Sequence, residues 1–141
     1  MISKKLLKII FEKEWKKHQP ILDPSYVNVP FKIDSIEKYH NDNDKTIINH
    51  MICIKGTARD NRDWSLDINI YELAHKCKEW AYNQNYQLRS SYKSFEMGEA
   101  WCEVIARAPD NDIFLLMSNT GADTEAEAIF QACEWILNKK E

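Results

Sequence analysis

Glycine is scarce in this chain: Gly56, Gly98 and Gly121 are the three among 141 residues. A loop that cradles phosphate needs clustered glycines so the backbone can approach the anion, and three isolated ones build none. Nucleotide hydrolases and dinucleotide enzymes of the usual kinds are disfavoured on that ground. Cysteine is sparse and scattered too. Cys53, Cys77, Cys102 and Cys133 are singletons inside apolar segments, where a free thiol behaves as a small hydrophobe. Reduced thiols in a cytoplasm are the expectation. Long apolar runs are missing, so no membrane span is expected. The opening stretch Leu6–Phe11 is broken by Lys8 and followed by Glu12, Lys13 and Glu14, which does not fit a signal peptide. Arginine is rare, four against fifteen lysines, a bias that suits an AT-rich genome and lowers the weight of any lysine cluster.

What is present is a globular composition. Hydrophobic residues make up 44% and charged residues 29%, which excludes disorder. Five Trp, six Tyr and five Phe supply enough large side chains to build a core at this length. Net charge is −3 but unevenly spread. Residues 1–18 carry six lysines against two glutamates. Residues 94–141 carry ten acids against three bases. Attraction between these two regions within the fold is the plain account of the asymmetry.

Hydrophobic periodicity sets the elements. Residues 3–18 read as an amphipathic helix with Ser3 as N-cap and Leu6, Leu7, Ile9, Ile10 and Phe11 on a broad apolar face. Pro20, Pro24 and Pro30 punctuate an extended connection. Residues 31–38 and 46–56 read as antiparallel strands, with a turn at Asn41-Asp42-Asn43-Asp44. Residues 59–63 form a second polar turn, and Trp64–Ile68 a short third strand. Asn69 caps a helix whose stripe runs Ile70, Leu73, Ala74, Cys77, Trp80, Ala81. Strands follow at 86–93, 99–108 and 113–118. The middle one is semi-apolar on both faces, which predicts a central position. After Gly121, Thr124 and Glu127 form a capping box for a last helix that buries Ala126, Ile129, Phe130, Cys133, Ile136 and Leu137.

The predicted class is therefore α+β, an antiparallel sheet with helices packed on one face, in the order α-β-β-(β)-α-β-β-β-α. Residues 1–66 would hold the first helix and strands, and residues 67–141 an α-β-β-β-α unit, the two forming one compact body. Whether the early strands extend the same sheet or make their own stays open.

The α-β-β-β-α order of residues 67–141 resembles the double-stranded-RNA-binding domain. That family grips phosphates with a lysine cluster opening its second helix. The matching position here reads Asp123-Thr124-Glu125-Ala126-Glu127, whose carboxylates would fill the positive end of the helix dipole. The resemblance implies the fold without the RNA-binding residues. The closing stretch from Thr120 to Leu137 also resembles the tails of small phage and prophage proteins, which implies a mobile-element origin.

Candidate chemistry is thin. His50 with Cys53 and His75 with Cys77 supply zinc-type ligands, but three apart on a strand and two apart on a helix they diverge. Cys77 and Cys133 as nucleophiles need a histidine and an open pocket, and both sit on apolar stripes. Asp60 with Asp63 and Asp110 with Asp112 are paired carboxylates in turns, where aspartate caps backbone. The basic helix, with Lys5, Lys8 and Lys16, and a basic–aromatic cluster of Lys55, Arg59, Arg62 and Trp64 are the candidate contacts for nucleic acid or a partner.

No catalytic, metal or cofactor residue is assigned. The leading expectation is a non-enzymatic cytoplasmic protein that acts by binding another protein, in one form as a phage inhibitor of a host defence complex. A nucleic-acid-binding module using the basic helix is the alternative. An enzyme whose site is assembled from distant residues stays open, as does oligomeric state.

Overall fold

The computed structural model describes residues 2–18, 32–44, 47–57, 63–92, 99–107, 110 and 112–140. The elements in chain order are α1 (Lys4–His18), β1 (Lys32–Asp44), β2 (Ile47–Thr57), β3 (Asp63–Asn69), α2 (Ile70–Asn83), β4 (Tyr86–Ser91), β5 (Ala100–Arg107), β6 (Ile113–Ala122) and α3 (Glu125–Lys139). This is an α+β fold in the expected order. The chain divides into two units. One is Leu7–Glu72. The other joins residues 1–6 to Leu73–Glu141. The strands make two three-stranded antiparallel sheets, β1-β2-β3 and β4-β5-β6, so the early strands form a sheet of their own.

The first sheet buries one face. Ile33, Ile52, Ile54 and Ile68 are buried, while Lys32, Glu37, Lys55, Ser65 and Asp67 are exposed. Strand alternation places β-branched isoleucines inward and charges outward. The Asn-Asp run expected as a turn belongs to β1 instead. Asn41 pairs with Asn49 and Asp44 with Ile47, so β1 carries one more residue than β2 across that step. The turn-forming composition is absorbed as a bulge, where an extra residue tolerates irregular backbone. The proline-rich connection and residues 59–62 of the expected 59–63 turn lie outside the described residues, and Asp63 opens β3.

In the second unit, α3 packs on β4, β5 and β6. Its buried stripe is Ala126, Ile129, Phe130, Cys133, Ile136 and Leu137, as the 3.6 period predicts. Thr124 Oγ1 accepts the Glu127 N–H at 3.1 Å, which satisfies one of the orphan donors of the first turn. Ser90 Oγ donates to Glu125 Oε1 at 2.6 Å, fastening β4 to the same turn. Residues Leu73, Ala74, Cys77, Trp80 and Ala81 of α2 are buried, and Cys133 Sγ donates to the Cys77 carbonyl at 3.5 Å.

The caps read from the sequence are in place. Ser3 Oγ accepts the Leu6 N–H at 3.1 Å, and Asn69 Oδ1 accepts the Tyr71 N–H at 2.8 Å. Helix α2 ends where Asn85 enters the left-handed region at φ 71°, a conformation that a short polar side chain tolerates.

Strand β5 is central, with Ala100, Cys102, Val104 and Ile105 buried. Strand β6 runs past the expected stop at residue 118, through Gly121 to Ala122. Between the pairs Ala100↔Ala122 and Cys102↔Asn119, β6 has two residues where β5 has one, and Gly121 sits there at φ 91°. That positive φ is open to glycine at no steric cost.

Candidate functional site

Strand β6 lies at the edge of its sheet, so one side of its backbone has no strand partner among the described residues. Its sequence, Ile-Phe-Leu-Leu-Met-Ser-Asn-Thr-Gly-Ala, contains no charge and no proline. Those are the residues that natural edge strands use to prevent unwanted pairing. Ile113 is 60% exposed, Phe114 51%, Leu115 57% and Leu116 42%. Four large apolar side chains in a row therefore meet solvent.

The register explains why the run is not absorbed. Ile113 pairs with Arg107, Phe114 with Ala106 and Leu115 with Ile105, while the next pair is Met117 with Val104. Leu116 is thus an extra residue, and a bulge there brings Leu115 and Leu116 side by side. Ile105, beside Leu115, is itself buried. A continuous apolar run suits a strand covered on both faces. At 113–116 consecutive residues of the pleat are all exposed, so neither face of the strand is covered there. The sequence marks 113–118 as an apolar strand but does not show that its side chains meet solvent. The absence of alternation was the signal that half of these side chains would lack a buried place.

Acids bracket the strand. Asp110 and Asp112 precede it and Asp123 follows, all exposed. Asp110 Oδ1 accepts the Asp112 N–H at 3.3 Å, so this carboxylate pair closes a turn.

Comparison with family models, curated proteins and solved structures finds no match.

The residues singled out from the sequence lie on α1, on β2 and β3, and outside the described residues. Lys5 and Lys8, one turn apart on α1, are exposed. Lys16 is on the same helix, its side chain outside the described residues, and Arg59 and Arg62 lie outside them altogether. Lys55 is exposed on β2 but stands 4.0 Å from Glu37, and exposed Asp67 and Asp63 lie along the adjacent β3. Lys55 pairs with Ser65 and Gly56 with Trp64, so Lys55 and Trp64 fall on alternate steps of the pleat. The described part of the basic–aromatic cluster is thus a mixed-charge surface.

The thiol candidates are core groups. Cys77, Cys102 and Cys133 have no exposed area. Burial first, then the neighbouring Cys133, pushes the Cys102 thiol up to about 12. The hydrogen bond to Cys77 and then burial hold the Cys133 thiol far above the usual range. Both stay protonated, and the thiolate is the nucleophile. His75 is exposed and meets Glu79 at 3.3 Å on the surface of α2. Among the described residues no three of His, Cys, Asp and Glu gather as a metal site would need, and no helix is long and apolar enough to cross a membrane.

Proposed function

We propose that this protein acts by binding another protein, without catalysis of its own, and that β6 is the contact surface. The observation that carries this reading is the exposed, uncharged run Ile113–Leu116 on a sheet edge. The run exposes roughly 400 Å² of apolar surface in all, shared between the two faces of the strand and flanking its open edge, where an incoming strand would cover part of it. An open edge adds main-chain hydrogen bonds for an incoming extended segment, with side-chain pockets for specificity. The ten acids against three bases in residues 94–141 suit a basic partner. An inhibitor from a mobile element, aimed at the nucleic-acid-binding surface of a host defence complex, is the concrete form.

Affinity capture from lysate with the wild type and with the Ile113→Lys, Leu115→Lys variant is the test. A stoichiometric protein retained by the wild type and lost by the variant, at unchanged circular dichroism, is expected. No stoichiometric partner, or equal capture by both, would sink the reading.

Exposed Lys5 and Lys8 favour a second reading, contact with nucleic acid through α1. It requires salt-dependent binding that disappears when Lys5, Lys8 and Lys16 become glutamate.

A further inference from the structure

We infer that in the free protein a second copy of this chain covers β6, strand against strand about a two-fold axis near Leu115. The inference rests on the reading of β6 as a contact surface and names what occupies it.

Self-complementarity is the first argument. An antiparallel pair of identical strands is isologous, so a residue at the axis meets its own copy. Centred on Leu115, the strand sets Ile113 against the partner copy's Met117, Phe114 against Leu116, and Leu115 against itself. Every position from 113 to 117 then meets an apolar side chain. Moving the centre back one residue, to Phe114, sets Asp112 against Leu116 and leaves a carboxylate facing an apolar group.

Charge is the second argument. In the Leu115 register Asp112 faces Ser118, and no acid faces an acid. The two Asp112 residues stand six steps apart along the ladder, roughly 20 Å at the rise of a strand. That exceeds the screening length of about 8 Å at physiological ionic strength. The acids flanking β6 therefore do not oppose the pairing. They would oppose a shifted one.

Area sets the strength. The exposed surface of the four residues amounts to roughly 400 Å² per chain, so the pair buries at most about 800 Å², below the range of stable complexes. The Leu116 bulge also shortens the regular ladder. The dimer is thus weak and reversible, populated at high micromolar concentration. It shields the edge from indiscriminate pairing and frees it on dilution or when a better partner arrives. Each copy contributes this one strand edge to the contact, so assembly closes at two.

Sedimentation equilibrium of the full chain from about 1 to 500 µM tests this. The mass should rise from that of one 16.7 kDa chain toward twice that value across the range. Leu115→Lys should remain a single chain throughout, and Ile113→Lys serves if the first variant unfolds. Tyr82→Lys, at an exposed position on α2, should dimerise as the wild type does. A wild type that stays single at every concentration overturns the inference. So does a dimer indifferent to both β6 substitutions, one lost with Tyr82→Lys, or growth beyond two copies. If the wild type stays single while the β6 variant loses a captured partner, self-pairing alone falls. If neither dimer nor β6-dependent capture is found, the reading of β6 falls with it.

Discussion

Asn119→Ala should destabilise the protein by about 2–4 kcal/mol, although the side chain is small, polar and half-buried. Its amide is a clip between three elements. Asn119 Oδ1 accepts the Cys102 N–H at 3.0 Å, and Asn119 Nδ2 donates to the Ala128 carbonyl at 3.0 Å. The first bond lies beside the step where β6 has an extra residue, so a side chain supplies an acceptor to β5 there. The second fastens β6 to α3. Alanine strands the Cys102 N–H in a partly dry place, at roughly 1–3 kcal/mol, while the Ala128 carbonyl keeps its partner within α3 and loses only a second bond worth about 1 kcal/mol. Against a typical total of about 5–15 kcal/mol this is a large fraction. Thermal unfolding should fall by roughly 10 °C.

Asn119→Asp separates the two bonds. It keeps the acceptor for Cys102 and loses the donor to Ala128, and its charge faces a carbonyl oxygen. Stability near pH 7 should fall at least as far as in Asn119→Ala. Part of the loss should return below about pH 4, where a protonated carboxyl donates again. Urea unfolding of the three proteins at pH 7 and pH 4 decides it. An Asn119→Ala midpoint equal to the wild type would show that water replaces the clip.

The history of Asn119 shows what local pattern can carry. The capping residues Ser3, Asn69 and Thr124 were legible because a cap acts within one turn and its partner sits two or three residues away. The stripes of α2 and α3 were legible because period 3.6 is written in consecutive residues. Central β5 was legible from its two apolar faces. Asn119 has partners 17 and 9 residues away, and no local rule ties it to them. Asn41–Asp44 misled because the same residues serve a turn and a bulge, and the pairing partner decides between them. The β6 surface was hidden for a related reason. An apolar run states how much the strand would bury, while the layers packed on its two faces decide how much it can. Of the residues proposed for contact, Lys5 and Lys8 share the exposed side of α1, and Lys55 falls among acids on a sheet.

Stability should also fall steeply on the alkaline side, and the buried thiols should account for much of the fall. Cys102 is raised to about 12 in the folded protein, by burial first and by Cys133 next. Cys133 is raised further, by its hydrogen bond to Cys77 and by burial. In the unfolded chain both titrate near the ordinary thiol value of 9.0. Below that value both states hold the protons and the contribution is complete. As pH rises through it, the unfolded chain releases protons that the folded one keeps, so the unfolded state gains free energy of stabilisation. Each thiol then costs about 1.4 kcal/mol per pH unit, until the folded Cys102 begins to titrate near 12. Over two units above 9 Cys102 alone would remove on the order of 3 kcal/mol, and Cys133 acts in the same direction. Tyrosines and lysines titrate in the same interval, so the comparison must be with a variant. Cys102→Ala with Cys133→Ala is less stable at pH 8, because each change leaves a small cavity. Its stability should nonetheless decline more slowly from pH 9 to 11 than that of the wild type under reducing conditions. Parallel declines in urea midpoints across that interval would mean the thiols ionise where they stand, and the second unit would then lack the dry interior its helices are read to enclose.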